Sequence, residues 1–190
     1  NYRSSVYDLL DASGIVVWDE NRDLTQNGLS AMAAMVKQHR NHPSVLMYSM
    51  CNEGECDSSS NKNHTLYQLF ENQTHLLDPH RPVTANMFSE FGPGTLSDFL
   101  DVQGLSHALA SQFDAAHAEQ PTKPLIASEC CSCLTQRDEN DAVEGKTYSS
   151  FNADCLQAEV GLTDSRPYVA GTVVWPLGDY LGEPAHINWP

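Results

Sequence analysis

Short apolar runs alternate along this chain with longer stretches in which apolar residues recur every three or four positions. The first run, Gly14-Ile15-Val16-Val17-Trp18, predicts a buried strand leading into Asp19-Glu20-Asn21-Arg22. A helix is expected from Thr25 to Arg40, with Leu29, Met32, Met35 and Val36 on one face, ended by Pro43. Ser44–Met50 reads as a second strand, and the helix after it carries Leu66, Leu69, Phe70 and Leu77 and stops before Pro79. Pro82–Asn86, Phe99–Gly104, Leu125–Ser128 and Gly171–Trp175 are the third to sixth strands, with helices near Ala108–Ala118 and Phe151–Val160. No repeat, low-complexity segment or domain boundary interrupts the pattern.

Such alternation is the signature of βα units around a parallel sheet, an α/β fold. Six units fit either an open doubly wound sheet or six of the eight units of a (β/α)8 TIM barrel.

Composition narrows the function. With 41% hydrophobic and 18% charged residues in 190, the chain has an ordinary globular make-up. Ten Lys and Arg against 25 Asp and Glu leave a formal charge of −15. That surface repels phosphate backbones and anionic membranes, so nucleic acid is excluded as a partner; a neutral sugar is not repelled. No apolar run reaches the roughly 18–20 residues that membrane insertion requires. The sequence opens at Asn1 on a polar stretch, without a charged-then-apolar leader, so an earlier start carrying the targeting signal is expected.

The six cysteines are Cys51, Cys56, Cys130, Cys131, Cys133 and Cys155, and their pairing is not legible from spacing. A bridge between the loops after Cys51 and Cys130, or a vicinal one at 130–131, would rigidify the site. The spacing of Cys130, Cys131 and Cys133 does not suit zinc, and no His follows at ligand distance. No metal and no cofactor are expected. Two glycosylation triplets, Asn63-His64-Thr65 and Asn72-Gln73-Thr74, point with the cysteines to a glycoprotein of the secretory route: secreted, extracellular, or lysosomal or vacuolar.

Polar residues cluster at the ends of the expected strands: Asp19 and Glu20, Asn52 and Glu53, Asn86, His107, Glu129, and Trp175. Burying a carboxylate is costly, so three strand ends bearing one predict a shared pocket. Retaining glycoside hydrolysis needs two carboxyl groups about 5–5.5 Å apart, one giving a proton and one attacking the anomeric carbon. Glu53 and Glu129 fit that demand. The alternatives are a loop salt bridge for each glutamate, a solvent-facing His107 and a core-filling Trp175. Cysteine nucleophiles are disfavoured, because no His–Asn partner is evident.

The run His39-Arg40-Asn41-His42-Pro43-Ser44-Val45-Leu46, continuing to Ser49-Met50-Cys51-Asn52-Glu53, resembles the acid/base signature of glycoside hydrolase family 2. Pro124–Glu129 resembles its nucleophile strand. Arg166–Gly171 through Trp175 to Asp179-Tyr180-Leu181-Gly182-Glu183-Pro184, and Trp18–Arg22, are similar to its β-galactosidase members. The resemblance implies that residues 1–190 are a partial TIM-barrel catalytic domain, from about the third barrel strand to the eighth. The upstream strands and β-sandwich domains would belong to other parts of a larger chain or assembly.

It also implies roles: Glu53 as acid/base, Glu129 as nucleophile and Asn52 as a contact for the sugar 2-hydroxyl. Trp175 would offer an aromatic face, and Asp19 and Glu20 would be hydroxyl ligands. The expected function is a retaining exo-hydrolase releasing terminal β-galactose from a β-galactoside or related oligosaccharide. Two departures stand out. Ser106-His107 occupies the place of an Asn-Tyr pair whose phenol bonds the nucleophile, so His107 would replace that donor. Asp23-Leu24-Thr25-Gln26 lacks the Glu and His of a family magnesium site. The alternatives are a β-glucuronidase or β-mannosidase, or a non-catalytic carbohydrate-binding or structural protein derived from the barrel. A glucuronidase would need a cation, for which Arg22, Arg137 and Arg166 are the candidates.

Overall fold

A computed structural model describes residues 3–56, 63–130 and 153–175. Six strands, β1 Val17–Glu20, β2 Val45–Asn52, β3 Val83–Met87, β4 Gln103–Ser106, β5 Leu125–Cys130 and β6 Val169–Val174, form one sheet. Every neighbouring pair is parallel and the spatial order equals the chain order. A doubly wound sheet reverses its order at a switch point; this one does not. The sheet curls into a half-barrel with helices between the strands, the partial TIM-barrel expectation.

Helices α1 Ser4–Ser13, α2 Gln26–His39, α3 His64–Leu77, α4 Ala110–Glu119 and α5 Ala153–Asp164 accompany the sheet. α2 starts where the Thr25 hydroxyl accepts the Gly28 N–H at 3.0 Å, and α3 where Asn63 Oδ1 accepts the Leu66 N–H at 3.1 Å. The main core lies between helices and sheet, joining Met32, Met35 and Val36 of α2, Leu66, Tyr67 and Phe70 of α3, and Tyr48, Met50, Val83, Ala85 and Met87 of β2 and β3. Each large apolar side chain so buried contributes about 1.5–3 kcal/mol. A smaller cluster joins Leu105, Phe113, Ala116, Leu125 and Ala127.

The strands differ from their expected bounds, β1 and β4 most. Gly14, at φ 68°, closes the unanticipated helix α1, and Ile15 and Val16 are exposed, so β1 begins only at Val17 and contains Asp19 and Glu20. Leu96–Phe99 is a short 3-10 turn capped by the Thr95 side chain, which delays β4 to Gln103. β2 and β5 run further than expected, to Asn52 and Cys130.

Arg81 fixes the entry to β2. Its guanidinium donates to the carbonyls of Val45, Arg40 and His42, each at 2.7 Å, and to Asp78 at 2.6 Å. His42 and the Ser44 N–H meet Asp11 at 2.7 and 2.8 Å. The Arg-Asn-His-Pro segment thus anchors the start of β2. Glu53 stands beyond its other end.

The half-barrel interior is tightly filled at Gly104. A Cβ there would lie 2.3 Å from the Ala85 oxygen, 2.7 Å from Trp18 Cη2 and 2.9 Å from Ser128 Cβ. Among the described residues, no helix is long and apolar enough to cross a membrane.

Candidate active site

The C-terminal ends of β1, β2, β4 and β5 deliver Glu20, Asn52, Glu53, His107 and Glu129 to one cavity of about 550 Å³, also bordered by Asn21, Arg22, Phe88 and Trp175. The volume falls within the roughly 300–1,000 Å³ of small-ligand sites. One carboxylate oxygen each of Glu53 and Glu129 and a ring nitrogen of His107 lie within 4.8 Å of one another.

Glu129 is the more enclosed carboxylate. Asn86 Nδ2 donates to its Oε2 at 2.6 Å, and His107 Nε2 donates to its Oε1 at 3.2 Å. Asn86 Nδ2 also donates to Asn52 Oδ1 at 2.8 Å, while Asn86 Oδ1 accepts the Ser128 hydroxyl at 2.6 Å. Asn52, its oxygen held in that bond, borders the cavity. Asn86 therefore links both halves of the site.

Glu53 follows β2 in a short 3-10 turn, Glu53–Glu55. Its φ is 39°, a left-handed conformation costing a non-glycine residue about 1–2 kcal/mol. The Ser106 hydroxyl meets Glu53 Oε1 at 2.7 Å, and His107 Nε2 stands 3.9 Å from the same oxygen. His107 also has a positive φ, 45°.

Glu20 lines the cavity with its Oε2 held by Trp18 Nε1 at 2.9 Å and the Ser49 hydroxyl at 3.0 Å. Burial pushes its carboxyl up to about 7, and the charges of Glu129 and Glu53 add to the rise. His107 is also raised, chiefly by its hydrogen bond to Glu129 and further by the charges of Glu129 and Glu53.

Asp19 does not join this group. Side chains alternate along a strand, and Asp19 turns toward α1 and α2, where Tyr7 Oη donates to it at 2.9 Å and His39 Nδ1 meets it at 2.7 Å. It borders a second cavity, of about 260 Å³, shared with Glu20, Glu129 and Trp175. Trp175 is 37% exposed and stands at the rim rather than in the core. Arg166 is paired with Asp114 at 2.9 Å on the outer surface, and Arg22 borders the main cavity. Arg137, Cys131, Cys133, Cys155 and the Asp179–Pro184 run lie outside the described residues or side chains.

Sequence reasoning assigned no role to Ser106, Ser128 or Phe88, and noted Asn86 only as a polar strand end. Among the described residues, two groups have the donor types of a divalent-cation site: Glu53, His107 and Glu129, and on the surface Asp8, Asp11 and His42.

Residues 19–188 match the model of glycosyl hydrolases family 2, TIM barrel domain. The chain belongs to glycosyl hydrolase family 2. Within it, a β-glucuronidase of Sus scrofa is 26% identical over 212 residues, covering 95% of this chain and 32% of that protein. A β-glucuronidase of Canis lupus familiaris is 30% identical over 222 residues, with coverage of 95% and 32%. A β-galactosidase of Bacteroides ovatus is 24% identical over 252 residues, with coverage of 96% and 30%. This family 2 barrel thus spans about a third of the length of the curated relatives it matches. A solved β-glucuronidase from Ruminococcus gnavus, in complex with D-glucuronic acid, shares the fold at TM-score 0.72 and 18% identity, over 97% of this chain and 36% of that one.

Proposed function

We propose that this barrel carries the catalytic centre of a retaining exo-glycoside hydrolase, with terminal β-galactose as the sugar released. The observation that carries the reading is the approach of Glu53 and Glu129 to within 4.8 Å, oxygen to oxygen. Retention by covalent intermediate requires about 5–5.5 Å between carboxyl groups, whereas inversion leaves room for water at about 6.5–9.5 Å.

Glu129, oriented by Asn86 and His107, attacks the anomeric carbon while Glu53 passes its proton to the departing glycosidic oxygen. The aglycone leaves as an alcohol and the sugar remains as an ester on Glu129. Water then gives a proton to Glu53 and its oxygen to the anomeric carbon, freeing Glu129. The Asn52 NH2 bonds the sugar 2-hydroxyl, and Trp175 supplies an apolar face.

Three carboxylates, Glu20, Glu53 and Glu129, line the cavity. The β-galactosidase-like Asp179–Pro184 run supports galactose as the sugar. A second reading is a β-glucuronidase. Arg22, the one Lys or Arg among the described lining residues, would then hold the uronate carboxylate, and several matched relatives are β-glucuronidases. Aryl β-galactoside and aryl β-glucuronide assayed side by side, with wild type and Arg22→Ala, separate the two. Turnover of the glucuronide alone, lost in Arg22→Ala, would replace the galactosidase reading. Inactivity toward all β-glycosides would leave a carbohydrate-binding role.

A 2-deoxy-2-fluoro β-galactoside is expected to trap its sugar on Glu129, located by peptide mass spectrometry, and Glu129→Gln abolishes both labelling and turnover. An adduct on another residue overturns the assignment. The Cys51–Cys56 disulfide supports an oxidising compartment, secreted or lysosomal.

A further inference from the structure

The six residues Cys51-Asn52-Glu53-Gly54-Glu55-Cys56 form a ring closed by a disulfide, with the two Cα atoms 5.5 Å apart. Both cysteines are buried in the main core, at 0% and 4% exposure. The ring therefore has an immobile base, while Glu53 at its crest reaches the cavity. β2 is irregular just before the ring: three residues from Ser49 to Asn52 pass while β3 advances two, from Thr84 to Asn86.

Among the described residues, few backbone bonds hold Glu53 in its left-handed conformation. The loop has one close backbone bond, Cys56 N–H to the Glu53 oxygen at 2.7 Å, and a long one from Asn52 N–H to Arg22 at 3.4 Å. A strained residue persists where its surroundings over-determine it. The crosslink is poorly placed for general stabilisation, because a ring this short removes the least entropy from the unfolded chain. Its placement suits local control. Cys130, directly after Glu129, is also disulfide-bonded, so both carboxylates have a crosslink within two residues.

We propose that the Cys51–Cys56 disulfide is a positioning element for proton transfer: it holds Glu53 where its carboxyl meets Ser106 and faces the glycosidic oxygen. The proposal rests on the reading of Glu53 as acid/base. Loss of the crosslink lets Glu53 relax toward a right-handed backbone and carries the carboxyl off the proton-transfer line, while Glu129, on another strand, stays in place.

The test compares wild type, Cys51→Ala/Cys56→Ala and the single Cys56→Ala, as intact protein, on two aryl β-glycosides. One has a 2,4-dinitrophenolate leaving group, which departs without a proton; the other has an unsubstituted phenol, which needs one. The expected result is a fall in kcat/KM of roughly 10- to 100-fold on the phenyl glycoside. The dinitrophenyl glycoside changes less than about threefold, and the pH profile on the phenyl glycoside shifts with the loss. Thermal unfolding shows whether each variant is folded, and the single variant keeps the comparison alive if the double does not fold. Equal losses on both substrates, or none on either, overturn the proposal. Glu53→Ala is measured alongside: if its own losses do not depend on the leaving group, the acid/base reading fails first, whatever the cysteine variants do.

Discussion

His107 is tied to Glu129 twice: its Nε2 lies 3.2 Å from Glu129 Oε1, and its backbone N–H donates to the Glu129 carbonyl at 2.9 Å. Ring and main chain are thus fixed to the same residue on β5, and the imidazole stands beside both carboxylates at the cavity wall. The raised His107 keeps its proton above the usual histidine range, so a cation bridges Glu53 and Glu129 over a wider span of pH.

That bridge sets an alkaline limit. The stabilisation from protonated His107 is fully present below its unfolded value of about 6.5 and is lost as pH rises through its higher folded value. In wild type, kcat/KM is expected to fall on the alkaline side as the proton leaves. His107→Gln keeps a donor without titrating, so its alkaline limb moves to higher pH while its maximal kcat drops about tenfold or more. A pH–rate profile of both proteins checks this; superimposable alkaline limbs would rule it out.

Glu20 works against stability in the opposite sense from a paired carboxylate. Its folded value of about 7 exceeds the unfolded 4.5, so the native state binds the extra proton and stability declines as pH rises from about 4.5 to 7. The loss is on the order of 2–3 kcal/mol at 1.4 kcal/mol per unit. Glu20→Gln is expected to flatten the dependence of Tm on pH in this window. An unchanged slope would show that Glu20 does not titrate there.

Asn86 is expected to matter for rate more than for affinity. Asn86→Ala removes the donor to Glu129 Oε2 and to Asn52, and leaves the Ser128 hydroxyl without its acceptor. A loss of 10²-fold or so in kcat is expected, with KM changed far less and about 1–3 kcal/mol lost in stability. Kinetics and denaturant unfolding on the same preparation measure both. A rise in KM at constant kcat would assign Asn86 to sugar binding instead.

Gly104→Ala probes packing alone. The added methyl meets the Ala85 carbonyl and the Trp18 ring inside the half-barrel, and backbone does not yield as a flexible side chain does. A destabilisation of about 1–3 kcal/mol is expected, read as a lower denaturation midpoint. Wild-type stability would mean that the strands separate more easily than this close packing implies.

Much of this was legible in the sequence, for a physical reason. A carboxylate directly after a buried apolar run is so costly that Glu53 and Glu129 stand out without any partner in view. Asn86 carries no such cost, and its partner Glu129 is 43 positions away, so its bridging role needs the barrel to be seen. Helix α1 was missed because only Tyr7 and Leu10 of its ten residues are buried, too few to show a period. The start of β1 misleads because Ile15 and Val16 are apolar yet solvent-facing, as many surface residues are. The separation of Asp19 from Glu20 follows from strand alternation, but only after the strand's limits are known.

Glu53, His107 and Glu129 rise from three different strands, β2, β4 and β5, and Asn86 of β3 is hydrogen-bonded to both Asn52 and Glu129. A register slip between any two of these strands would therefore alter the separation of the two glutamates or detach the amide that joins them, so the parallel ladder acts as the ruler that spaces the pocket.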